Sequence, residues 1–93
     1  MDEKDNSKVF IGKKRSMDYV MAAMIVLSKK PVRLLARGKS ISLAVDVAEI
    51  LRNKFLHGSE YGEILISTEM FNNTDGTNSN VSSIEIEIIQ PKK

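Results

Sequence analysis

The chain has 93 residues, 42% apolar and 28% charged, a composition that fits one ordinary folded domain and does not read as a disordered chain. It contains no cysteine, which excludes a disulfide scaffold and a thiolate metal site. The net charge of +2 conceals an asymmetry, because residues 1–57 hold 12 Lys or Arg against 6 Asp or Glu while residues 58–93 hold 2 against 6; a split of that kind suggests a polyanionic partner.

The N-terminus "MDEKDNSK" is acidic and polar, without the basic and then apolar run of a secretory leader. Residues 1–7 therefore read as a flexible tail and 8–91 as a single domain. No stretch approaches the ~20 apolar residues of a membrane span, so the expectation is a soluble cytoplasmic protein with no membrane contact. Val9 to Ile11 is a short β-prone run ended by Gly12. Ser16 is placed to cap a helix in which Met17, Val20, Met21, Met24 and Leu27 recur at helical spacing, with Asp18 in its first turn. The helix should stop around Ser28 to Lys30, because Pro31 disfavours helical geometry in the residue before it.

Val32 to Ala36 reads as a second strand closed by "RGKS". Ser40 or Ser42 can cap a second helix with Ile41, Ala44, Val45, Ala48, Leu51 and Phe55 on one face and Leu43, Val47 and Ile50 on another. A helix apolar on more than one stripe, in a domain too small to surround it, implies contact with a second chain. The period then changes from 3.6 to 2. Ile64, Ile66, Thr68 and Met70 alternate with Glu63, Leu65, Ser67 and Glu69, and Ile84, Ile86 and Ile88 alternate with Ser83, Glu85 and Glu87. The polar segment "NNTDGTNSN" between them, with Asp75 and Gly76 at its tip, makes the pair a long hairpin. The order β-α-β-α-β-β gives an α+β fold, two helices packed on one face of a mixed four-stranded sheet.

Both strand-to-helix turns are basic: "GKKRS" supplies Lys13, Lys14 and Arg15, and "RGKS" supplies Arg37 and Lys39. If the first two strands run parallel, both turns leave the sheet at its carboxyl edge, where exposed helix N-termini also favour phosphate. "RGKS" is not a nucleotide-binding P-loop, since the glycine required five residues before Gly38 is Arg33. His57, the one histidine, stands beside Gly58 where a helix-terminal cation is the simpler reading than a general base. No serine has an evident base partner and no His/Asp/Glu group has metal spacing, so neither an enzyme nor a cofactor is expected. The five aromatics form no ladder for stacking bases, and contacts to a phosphate backbone carry little base information.

The segments "VFIGKK", "ARGKSISLAVDVAEILRNKF" and "SNVSSIEIEI", with "DG" in the hairpin, closely resemble the Alba family of archaeal chromatin proteins, from about Val9 to Ile89. The resemblance implies a fold similar to the C-terminal domain of translation initiation factor three. It also implies a homodimer, binding of double-stranded DNA and RNA without marked sequence preference, and a place on the chromosome in the nucleoid. The family's lysine pair falls on Lys13 and Lys14, the first being the acetylation candidate for an acetylase and deacetylase. Its arginine motif falls on Arg37 and on Lys39, where lysine keeps the charge and loses the bidentate fork. The family's contact between neighbouring dimers falls on Phe55, with Arg52, Asn53 and Leu56 beside it. The hairpin tip has no Lys or Arg, so an arm would offer only groups such as Asn73, Thr74, Thr77 and Asn78, with Asp75 unfavourable near phosphate. The alternatives are an RNA-binding subunit of a ribonucleoprotein and a protein scaffold using the second helix.

Overall fold

The structure, a computed structural model, describes residues 7–90. Its main elements are β1 (Lys8–Phe10), α1 (Ser16–Leu27), β2 (Val32–Arg37), α2 (Ile41–Ile50), β3 (Glu60–Asn72) and β4 (Asn78–Ile89). Of the expected tail, residues 1–6 lie outside the described residues, as does Pro91 at the other boundary. Ser7 is already tied to the sheet, its carbonyl accepting the Arg33 N–H at 2.8 Å.

The sheet order is β1-β2-β4-β3, with β1 parallel to β2 and the other pairs antiparallel. In β2 the alternation is strict: Val32, Leu34 and Ala36 are buried while Arg33, Leu35 and Arg37 point the other way. Ile86 and Ile88 of β4 and Val9 of β1 join the buried side, against which both helices pack. The other side of the sheet is open.

The helices bury much of the predicted apolar rows, Val20 and Leu27 in α1 and Ala44, Ala48 and Leu51 at α2, with Met24 and Ile41 packed against the core, but leave some of their large residues outside. In α1 the buried residues are Tyr19, Val20, Ala23 and Leu27, whereas Met17 and Met21 are exposed. In α2 they are Ala44, Val47 and Ala48, followed by Leu51, whereas Val45 and Phe55 are exposed. The small residues decide this. Ala23, Ala44 and Ala48 are fully buried, and alanine lets helix and sheet backbones approach closely.

Helix starts also differ. Arg15, not Ser16, holds the N-cap of α1, and Asp18 reaches back to accept the Arg15 N–H at 3.3 Å, so the acidic residue of the first turn does the capping. Ser40 precedes α2 without a side-chain cap, because Gly38–Ser40 is already a 3-10 turn. Gly38 enters that turn at φ +52°, a left-handed geometry that favours glycine. The α-helical part of α2 ends at Ile50, and Leu51–Phe55 widens into a π turn closed by Leu56 N–H on the Leu51 carbonyl at 2.8 Å.

The hairpin is longer and its loop shorter than the polarity of "NNTDGTNSN" indicates. Pairing continues to Asn72 opposite Asn78, leaving residues 73–77 as the loop. A bulge between Tyr61 and Ile64 brings Gly62 against Glu87, into whose carboxylate a Cβ would run. Ile64, Ile66, Thr68 and Met70 share the helix-facing side with Ile84 and Ile86, but none of the described helices covers them, and Ile66 is 78% exposed.

Candidate nucleic-acid interface

Parallel pairing sets the geometry. Val9 lies beside Leu34 and Phe10 beside Leu35, and the Ile11 N–H donates to the Leu35 carbonyl at 2.8 Å. Both strands therefore finish at the same end of the sheet. The turn of Lys13, Lys14 and Arg15 and the turn of Lys39 leave from that end side by side, each running into a helix. Lys13, Lys14, Arg15 and Lys39 are exposed, and no carboxylate among the described residues lies within ion-pair distance of any of the four. An unneutralised cationic rim of this kind attracts polyanions.

The first turn is held from beneath by a residue that sequence reasoning missed. The Tyr19 hydroxyl, almost fully buried, accepts the backbone N–H of Gly12 and that of Lys14, both at 2.8 Å. Its position on the turn side of α1, four residues past the N-cap, is the only sequence signal it leaves.

Arg37 differs from the other four. Its Nε forms an ion pair with Glu69 at 3.1 Å and its guanidinium sits 5.4 Å from the centre of the Phe71 ring, so β3 of the hairpin already holds it. Val81 of the hairpin also packs near Gly38, 3.5 Å from where a Cβ would stand. The rim thus continues onto the base of the hairpin.

The remaining predicted residues lie elsewhere. At the tip, Asn73 donates its side-chain amide to Thr77 and Ser79 at 2.9 Å each, and Asp75 accepts both the N–H and the hydroxyl of Thr77. Those Thr77 bonds hold the Asp75 carboxyl below its usual range. Asn73 and Thr77 are therefore engaged in shaping the turn, while Thr74 and Asn78 are exposed. At the far end of α2, Arg52 donates to the Ser59 carbonyl at 3.1 Å and to Glu49 at 3.5 Å, and lies 4.4 Å from the Tyr61 ring centre. Asn53 donates to Glu49 at 3.2 Å and Tyr61 also donates to Glu49. The Tyr61 hydroxyl bond is the main cause that pulls the Glu49 carboxyl down, and burial, then Glu49, push the Tyr61 phenol up. Leu56 packs against the core, leaving Phe55, 42% exposed, as the outward residue of this group. His57 bonds the Asn53 carbonyl, as a helix-end residue does.

The family model of Alba matches residues 7–68, which include both basic turns and the whole of α1 and α2. The chain belongs to the Alba family. Among relatives, the DNA/RNA-binding protein Alba of Thermoplasma volcanium is 48% identical over 80 residues, covering 84% of this chain and 89% of its own. The protein of the same name from Methanocella arvoryzae is 42% identical over 90 residues, covering 95% and 94%. The solved structure of Alba from Thermoplasma volcanium superposes with a TM-score of 0.82 at 45% identity over 89% of this chain and 99% of that one. ALBA1 from Trypanosoma brucei shares the fold, with a TM-score of 0.77 at 22% identity over 96% of this chain and 73% of that one.

Proposed function

We propose that this Alba chain is a non-enzymatic nucleic-acid-coating protein, a homodimer that binds double-stranded DNA, and also RNA, along the cationic rim without regard to sequence. It compacts DNA in the cytoplasmic nucleoid. One observation carries the reading: parallel pairing of β1 and β2 delivers two basic turns to one end of the sheet, with four of their cations free of any carboxylate among the described residues. Such groups meet phosphates, which are the same at every base pair. The relatives' name, DNA/RNA-binding protein Alba, agrees with this class of partner.

The dimer is supported by bare apolar surface. Ile64, Ile66 and Met70 are 50%, 78% and 67% exposed on the helix-facing side of the hairpin, next to Ile41 of α2, with exposed Val45 one turn further on. Contiguous apolar surface of this kind marks an interface, and a two-fold axis would bury it against its own copy. Lys13, exposed on the rim, is the site at which acetylation would remove a cation and weaken binding.

The test is a titration with unrelated duplexes and with RNA over a salt series. For a dimer that neutralises about six to eight phosphates, log K should fall against log salt with a slope of very roughly −5 to −7. Replacing Lys13, Lys14 and Arg37 together by Gln should weaken binding to all duplexes about equally and flatten the slope by about one unit for each phosphate no longer neutralised. Unchanged binding by that variant, or capture of one sequence alone, would overturn the proposal.

A further inference from the structure

We infer that the open face of the sheet, beside the cationic rim, holds a stacking site for an unpaired nucleobase, with Phe10 as its floor. This rests on the rim's binding of nucleic acid and adds a second mode to it, for single strands. Phe10 is 69% exposed. Its register opposite Leu35 puts it on the helix-free side of the sheet, together with Leu65, Ser67 and Phe71. An edge-strand phenylalanine left bare in water is a flat apolar surface that nothing among the described residues covers.

Three features point to a base as the occupant. Phe10 lies three residues before Lys13, within about 10 Å along the chain, so a phosphate held on the rim leaves its own nucleotide within reach of the ring. A groove of about 600 Å³ opens here, lined by Phe10, Leu35, Arg37, Leu65, Ser67 and Ser83 among others, a size suited to small-molecule groups. Its polar members include two hydroxyls 2.8 Å apart, Ser67 and Ser83, which can turn to meet a base edge, together with Arg37, Ser40, Glu69 and Glu85. Four carboxylates on this face share two guanidiniums, Arg33 bonding Glu85 and lying 3.5 Å from both Glu63 and Glu87 while Glu69 is paired with Arg37; the remaining negative charge leaves the phosphates to the rim and the uncharged base to the ring. Exposed aromatics on the open face of a small sheet backed by two helices are a general device for splaying and stacking single-stranded bases, and stacking is tolerant of sequence because every base has a π face.

The chain has no tryptophan, so Phe10→Trp places one reporter at the site. Wild type, Phe10→Ala and Phe10→Trp are titrated at one salt concentration with labelled oligo(dT), oligo(U) and a mixed-sequence duplex. Phe10→Ala should lose about 5- to 150-fold in affinity for the single strands and stay within about two-fold for the duplex. Phe10→Trp should keep single-strand affinity and show quenched emission on adding oligo(dT) but not duplex. The inference is overturned if Phe10→Ala loses both ligands equally or neither. It is also overturned if the Trp emission ignores oligo(dT), or if Phe10→Ala changes the oligomeric state by light scattering, which would assign the ring to a protein contact. A wild type that binds duplex while Phe10→Ala is silent defeats this inference alone; a wild type that binds neither ligand defeats the rim reading as well.

Discussion

Tyr19 gives the first basic turn a shape that its cations cannot give it, since like charges on adjacent residues push a loop open. Replacing it by Phe removes the acceptor for two partly buried N–H groups. Each such group left unsatisfied costs about 1–3 kcal/mol, so Tyr19→Phe should lower the unfolding free energy by an amount of that order in urea titrations and weaken duplex binding. Unchanged stability would mean that water replaces the hydroxyl. Glu69 acts in the opposite sense. By holding Arg37 it sets the protein's own carboxylate against a phosphate for the same guanidinium, and an exposed pair of this kind is worth about 0.2–1 kcal/mol. Glu69→Gln should therefore tighten duplex binding about 1.5- to 5-fold; weaker binding would show that Glu69 positions Arg37 for its ligand. The shared end of the two basic segments was legible in the sequence, because Lys13, Lys14, Arg15 and Lys39 sit in turns between periodic segments and Arg37 closes the strand before one of them. Tyr19, Glu69 and Phe71 were not, because their roles depend on which strand passes beneath which turn.

Among the elements, order and type followed from periodicity, and the facing of the helices only in part. In α1 the methionines supply the apolar spacing, yet Met17 and Met21 are exposed and the smaller Ala23 is buried; volume, not hydrophobicity, selects the residue at a close crossing. The π turn after α2 was equally hidden, since Leu51–Phe55 carries no residue that breaks a helix. Beside it, α2 is tied to β3 through Glu49, Arg52 and Tyr61. Glu49 titrates below its ordinary value, so its contribution is present above the unfolded carboxyl's pKa of about 4.3 and is lost as pH falls through the depressed folded value. Tyr61 titrates above its ordinary value, so its contribution holds below about 10 and is lost as pH rises through the raised one. The urea midpoint should stay level between these limits and fall on both sides. Glu49→Gln should make both falls shallower; an unchanged profile would remove the tie from the stability of the fold.

As a whole the molecule is elongated, 52 Å in its longest dimension with a radius of gyration of 14.4 Å, against about 12 Å for a compact chain of this length. The excess is the hairpin, whose strands of 13 and 12 residues reach about 40 Å at the usual rise per residue. If a second copy covers its apolar side, Ile66→Asp should convert the dimer to monomer by light scattering and lower duplex affinity, because each particle then presents one rim instead of two. A dimer that persists would place the interface elsewhere. A two-stranded ribbon with no layer behind it is marginal in water, so the amide hydrogens of the outer ladder, from Thr68 to Asn80, open by local fraying and not by global unfolding. Their deuterium uptake is a built-in gauge: it should slow as protein concentration rises, while the amides of β2, pinned between β1 and β4, stay as they were.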